Sequence, residues 1–140
     1  MAQPAHLDGV QQLPGAEYAA REVYPDKNSI TGELAGAYPP IPGLGTYRRS
    51  VSVREQGITL RDETDHPGTV ELTLLTEQQP VPAADGFVVG TLGGIRFDPD
   101  AVTAAVAPVS ITDPRLRTAW PETIYKITLH FQKMLNLELY

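Results

Sequence analysis

The sequence has no cysteine among its 140 residues. This absence excludes disulfides, thiolate catalysis and cysteine-ligated zinc together. No segment approaches the ~20 consecutive apolar residues that a membrane-spanning helix needs. Residues 1–13 lack the basic and apolar regions of a signal peptide. Only 11 basic side chains stand against 17 acidic ones, and the net charge of −6 argues against nucleic acids and anionic membranes as partners. The compartment of the protein stays open.

What the sequence does contain is short runs of alternating apolar and polar residues, separated by 13 prolines and 12 glycines. Residues 47–54 alternate strictly, and a turn at Gln56-Gly57 followed by a return over 58–61 predicts a β-hairpin with one solvated face. The longest alternating run covers residues 123–131. Further strands are predicted at 17–24, 70–75, 87–91, 94–97, 101–111 and 135–139, with a loop over 78–86 and a turn at Gly93-Gly94.

About ten strands of this kind predict an all-β fold, an antiparallel β-sandwich of two packed sheets that forms one domain over residues 1–140. A short helical turn is predicted near residues 30–38, with Ser29 as its N-cap. Gly32 and Gly36 limit this helix to a turn or two. Residues 39–45 are expected to form a loop within the domain.

Three arginines, Arg48, Arg54 and Arg61, come close together if the predicted hairpin forms. Arginines on the open face of a sheet can bind carboxylates or sulfates through two parallel hydrogen bonds, which would suit an anionic sugar. The alternative is that they are surface charges with partners on neighbouring strands. Those partners would be Glu55, Asp62 and Glu71.

Other side chains also admit two interpretations each. His130 lies on the polar face of the predicted strand 123–131, and is either a general acid or base or a half-exposed sheet histidine. A carboxylate-rich segment is either an oxygen-ligand site for calcium or a solvated turn; it comprises Asp62, Glu63, Asp65 and His66. Five aromatic residues are either stacking platforms for sugars or anchors of the core and loops. They are Tyr18, Tyr24, Tyr38, Tyr47 and Trp120.

Several short motifs follow one another in an order that is informative although each motif is weak alone. They are LDGVQQLPG at 7–15, YAA at 18–20, LAGAY at 34–38, YRRSV at 47–51, LRD at 60–62 and LHF at 129–131. This series resembles the C-terminal β-domain of the heparinase II/III-like polysaccharide lyases, bacterial enzymes that cleave uronic-acid polysaccharides such as glycosaminoglycans by β-elimination. The resemblance covers residues 7–131.

The resemblance implies an antiparallel β-sandwich that follows an N-terminal α/α toroid. The toroid would supply the catalytic tyrosine, and the family's metal-ligand histidine would fall at Ala2-Gln3, where this sequence has none. We therefore expect no catalytic residue, no metal ligand and no cofactor in this chain, whereas zinc or calcium could serve the parent protein. His6 replaces an apolar strand position of the family and receives no role.

The resemblance thus predicts a fragment of a lyase that is catalytically silent without its toroid. Its expected partners are an acidic polysaccharide or oligosaccharide, bound with the help of Arg48, Arg54 and Arg61, and the missing toroidal domain. Two alternatives stay open. The chain is either a stand-alone carbohydrate-binding β-module or a structural or interaction domain.

Overall fold

Twelve β-strands form the regular structure of the computed structural model, which describes residues 5–91 and 93–140. In chain order they are β1 (His6–Leu7), β2 (Arg21–Pro25), β3 (Ser29–Glu33), β4 (Tyr47–Arg54), β5 (Gly57–Thr64), β6 (Val70–Thr76), β7 (Pro80–Ala83), β8 (Gly86–Val89), β9 (Gly93–Arg96), β10 (Thr103–Ser110), β11 (Thr123–Phe131) and β12 (Met134–Leu139). Two short 3-10 turns, Ala35–Ala37 and Leu116–Thr118, are the helical elements of the described residues.

The strands form two antiparallel sheets. The small sheet has the order β1-β6-β11-β10, and the large sheet has the order β2-β3-β4-β5-β12-β9-β8-β7. The two sheets share one hydrophobic core. The predicted all-β class and the antiparallel sandwich of two packed sheets are therefore confirmed.

The core lies between the inner faces of the sheets, where strand alternation places the apolar side chains. In the small sheet, Leu72 is the cross-strand partner of Leu129, and both side chains are fully buried. In the large sheet, Leu60 is the partner of Leu137, and these are 6% and 1% exposed. Each such side chain contributes roughly 1.5–3 kcal/mol by leaving water. The same alternation places polar side chains on the outer faces.

The β4–β5 hairpin forms as predicted, with one difference in its turn. Arg54 pairs with Gly57, so the two-residue loop is Glu55-Gln56. The long strand predicted at 123–131 is β11, with the same limits. Alanine favours helix and valine favours strand over 101–111, where the alternation predicts a strand. The strand forms as β10, which begins at Thr103.

The helical turn near residues 30–38 is shorter than expected and begins later. Ser29 does not cap a helix, because it starts β3, which pairs with β4 from Ser29↔Ser52 to Glu33↔Arg48. The β-branched residues at 30 and 31 suit this strand. The helical part of this region is one 3-10 turn, Ala35–Ala37.

Two other local predictions are wrong for reasons of tertiary structure. The loop expected over 78–86 contains strand β7, which tolerates Pro80 and Pro82 because it is the edge of the large sheet. The turn expected at Gly93-Gly94 is the start of β9. A Cβ atom at Gly93 would lie 1.7 Å from the carbonyl oxygen of Tyr140, so glycine is needed for close approach of two strands.

Candidate functional site

An open groove of about 560 Å³ lies on the outer face of the large sheet. Cross-strand partners share a face of a sheet, so the register defines its floor. One row of partners is Ser50, Arg61 and Asn136, and the next row is Ser52, Thr59, Glu138 and Arg96. Hydroxyl, amide, carboxylate and guanidinium groups therefore stand side by side over strands β4, β5, β12 and β9.

Three arginines line this groove: Arg54, Arg61 and Arg96. The guanidinium of Arg61 donates a hydrogen bond to Glu63, and the Arg61 side chain is 54% exposed. Arg54 has no carboxylate within ion-pair distance in the part of the chain that the structure describes. The groove thus offers guanidinium groups to the solvent in spite of the negative charge of the whole chain.

Arg96 is the most firmly placed of the three arginines. Its guanidinium carbon lies 3.7 Å from the centre of the Tyr140 ring. Its Nε and Nη1 atoms lie 3.6 Å from carboxylate oxygens of Asp85 and Glu138, respectively. The ring and the two carboxylates restrict its rotamers while leaving the side chain 45% exposed. Such a residue loses less conformational entropy when it binds a ligand.

The structure brings together only two of the three arginines selected from the sequence. Arg54 and Arg61 line the groove, whereas Arg48 lies at a separate depression and faces Glu22 at 3.5 Å. Sequence reasoning missed Arg96. The alternation of Ile95 and Arg96 could have indicated an outward-facing arginine, but the pairing of β9 with the distant β12 could not be inferred from local pattern.

Two of the three predicted partners of these arginines, Asp62 and Glu71, are engaged elsewhere. Asp62 has a fully buried side chain and binds Arg49, with Nε to Oδ1 at 2.7 Å and Nη2 to Oδ2 at 2.6 Å. Glu71 lies on the small sheet, next to His6 and His130. Two arginines of the groove are therefore surface charges with partners other than the predicted ones. Arg61 pairs with Glu63 of its own strand, and Arg96 pairs with Glu138 of β12.

A buried polar network lies on the inner side of the same hairpin. The hydroxyl of Tyr47 donates to Asp62 Oδ2 at 2.7 Å, and the rings of Tyr47 and Tyr38 stack with their centres 6.1 Å apart. Burial raises the pKa of Tyr38 to about 12. Burial and the Asp62 charge raise the pKa of Tyr47 further. Both tyrosines are core anchors that stay protonated, and neither is a stacking platform.

The carboxylate-rich segment at the end of β5 does not form one site, because its four members have separate partners. Asp62 binds Arg49, Glu63 binds Arg61, and His66 Nε2 lies 2.9 Å from Asp8 Oδ2. Asp65 accepts hydrogen bonds from the backbone amides of residues 45 and 46, which lower its pKa. Within residues 5–91 and 93–140 no three acidic or histidine side chains are placed to hold a metal ion.

Other residues selected from the sequence are distributed over the surface. His130 is 40% exposed on the outer face of the small sheet, 3.4 Å from a Glu71 oxygen. Tyr24 is 66% exposed and is the partner of Thr31, which pairs in turn with Ser50. Tyr24 therefore extends the cross-strand row of Ser50 and Arg61 at the edge of the large sheet.

None of the helical elements in the described part of the chain is long and apolar enough to span a membrane. No protein-family model matches this sequence, and no curated protein matches it either.

Proposed function

We propose that this chain is a noncatalytic β-sandwich domain that binds acidic polysaccharide in the groove on the outer face of its large sheet. The observation that carries the proposal is the groove itself, where Arg54, Arg61 and Arg96 surround a floor of hydroxyl and amide groups. Guanidinium groups bind carboxylates and sulfates in bidentate geometry. The floor supplies donors and acceptors for sugar hydroxyls.

We further propose that the parent protein is a heparinase II/III-like lyase, as the motif order suggests. The support from the structure is an uncovered apolar area. The large sheet is wider than the small one, and inner-face side chains near its β2 edge stay exposed: Ile30 (47%), Val53 (57%) and Ile58 (37%). Contiguous exposed apolar residues mark contact surfaces. This area favours a domain that packs against another domain over a stand-alone module.

The buried positions of two tyrosines agree with the expected catalytic silence. β-Elimination requires a base beside the carbon that carries the uronate carboxylate. Tyr38 and Tyr47 face the interior, and burial holds both in the protonated form. Neither can take a proton from a sugar bound in the outer groove. We propose that another domain supplies the base for any lyase activity of the parent protein.

Binding is tested by titrating the chain with heparin, chondroitin and alginate oligosaccharides in a calorimeter, with a neutral glucan as the comparison ligand. We expect an acidic oligosaccharide to bind, and the double variant Arg54→Gln/Arg61→Gln to weaken binding at least about tenfold, equivalent to about 1.4 kcal/mol. The matched control is Arg115→Gln/Arg117→Gln, which removes the same charge outside the groove. Equal losses of affinity in both double variants, or binding of the neutral glucan alone, would refute the groove as the binding site.

The lyase assignment has separate tests. The isolated chain incubated with the same oligosaccharides should give no unsaturated product by ultraviolet absorbance, and turnover would contradict catalytic silence. The coding sequence upstream of residue 1 should encode a helical toroid. A different upstream domain would refute the lyase assignment and leave the binding proposal standing.

A further inference from the structure

A row of three ionisable side chains crosses the outer face of the small sheet. His6 on β1, Glu71 on β6 and His130 on β11 are cross-strand partners. The Glu71 carboxylate lies between the two imidazoles, with Oε1 at 3.7 Å from His6 Nδ1 and Oε2 at 3.4 Å from His130 Nε2. One carboxylate thus faces two groups that each gain a positive charge on protonation.

Both separations are too long for strong hydrogen bonds to neutral imidazoles, but they suit ion pairs with protonated ones. Histidine is the side chain whose charge ordinarily changes between pH 5 and 8. The row therefore has a net charge of −1 when both imidazoles are neutral and +1 when both are protonated, with two attractive contacts in the second state.

The other charged groups near this row are few. Lys126 is on the same face of β11, four residues before His130, and Asp100 lines the same surface depression as His130. Asp8, two residues after His6, is held by His66 Nε2 and by the backbone amide of Thr69. Glu71 is therefore the carboxylate that contacts both imidazoles of the row.

These contacts act on β1, a strand of two residues that pairs with β6 at the edge of the small sheet as far as the described residues show. We name residues 5–10 the N-terminal strap. Its other attachments include the bond from the Tyr38 hydroxyl to the Ala5 carbonyl at 2.7 Å, the contacts of Asp8 with His66 and Thr69, and the burial of Leu7 in the core. We propose that the row His6–Glu71–His130 is a pH-sensitive latch that holds the N-terminal strap more firmly in mildly acidic conditions than above neutral pH.

The direction of the pH dependence follows from the charge states in which these side chains attract each other. The latch needs charged imidazoles and an ionised Glu71. In proteins generally, histidine is charged below about pH 6.5 and glutamate is ionised above about pH 4.3. The contribution of the latch is present between these values. It is lost as pH rises through the histidine range, and it is lost again when the carboxylate is protonated in acid. The strap should therefore be held best at about pH 5 to 6.

The test is hydrogen exchange of the strap amides, such as Leu7 and Val10, which bond each other's carbonyls at 3.0 and 2.9 Å. Protection is corrected for the intrinsic exchange rate and divided by that of the β4–β5 hairpin, which removes changes in global stability. We expect the ratio to be about 1.5- to fivefold larger at pH 5.5 than at pH 8, since one exposed ion pair, His6–Glu71, joins the strap to β6 and such pairs are weak.

Two variants decide the origin of this change. Glu71→Gln and the double variant His6→Asn/His130→Asn should both abolish the pH dependence, whereas Glu77→Gln, which neutralises an exposed carboxylate outside the row, should keep it. If the pH dependence persists in Glu71→Gln, it originates in the Asp8–His66 contact, and the latch proposal is overturned. A wild-type ratio that is unchanged between pH 5.5 and 8 would overturn it as well.

Discussion

Replacing Asp62 by asparagine is the sharpest test of what holds the β4–β5 hairpin to the core. The Asp62 side chain is fully buried and accepts three hydrogen bonds, one from the Tyr47 hydroxyl and two from Arg49. Asparagine keeps the volume but removes the charge. Arg49, whose side chain is only 19% exposed, is then left with a guanidinium that has lost its counter-ion.

We expect the Asp62→Asn variant to lose about 3 kcal/mol of unfolding free energy. Breaking one partner of a buried ion pair costs about 3–5 kcal/mol, and the lower end applies because asparagine still offers one acceptor oxygen. Tyr47→Phe removes one neutral donor from the same carboxylate, and it should cost only about 1–1.5 kcal/mol. Urea unfolding followed by circular dichroism measures both, with unchanged denaturant slopes as the sign of an unchanged fold.

The matched control removes both charges at once. Arg49→Met/Asp62→Leu replaces the pair by apolar side chains, and we expect it to be much more stable than Asp62→Asn, since such replacements are often neutral. If Asp62→Asn costs no more than Tyr47→Phe, the carboxylate is not the counter-ion of a buried guanidinium. If the double variant is the least stable of the three, the pair contributes more than the desolvation argument allows.

Two further outcomes follow from burial and close packing. Gly93→Ala should lower the free energy of unfolding in urea by more than about 2 kcal/mol, since its Cβ would lie 1.7 Å from the Tyr140 carbonyl oxygen. Gly9→Ala, with φ +81° but nothing within 4 Å of the added Cβ, should lower it by about 1 kcal/mol. Equal losses would refute the close approach at Gly93. Burial raises the pKa of Tyr38 from 10.0 to about 12, so its contribution to stability is full below pH 10 and is lost as pH rises towards 12. The stability deficit of Tyr38→Phe should therefore shrink between pH 8 and pH 11, and a constant deficit would contradict this.

Local alternation was sufficient to predict most strands, because one face of each meets the core. β11 has its predicted limits, and the β4–β5 hairpin differs only in its turn. The prediction failed where tertiary pairing outweighs local preference. Gly32 lies in the middle of β3, and Pro82 lies in β7, because β4 and β8 provide partners that the local sequence does not reveal.

The candidate groove was only partly predictable for the same reason. Arg54 and Arg61 belong to one hairpin, with Arg61 the fifth residue after the Glu55-Gln56 loop. Their proximity is therefore a local property of this hairpin. Glu138 on β12 pairs with Arg96 on one side and with Thr59 on the other, and this pairing places Arg96 at the groove. That contact depends on where the C-terminal strand inserts, and no periodicity within β9 or β12 encodes it.

The net charge of −6 and an anionic ligand can coexist because of how the acidic side chains are placed around the groove. Glu63 contacts Arg61, while Asp85 and Glu138 lie 3.6 Å from Arg96. These carboxylates hold the guanidinium groups in position at the price of weaker long-range attraction for an anion. A ligand with one diffuse charge gains little over them, whereas a planar carboxylate or a sulfate that accepts two parallel hydrogen bonds competes with favourable geometry. We therefore expect the proposed binding groove to favour bidentate anionic groups over negative charge in general.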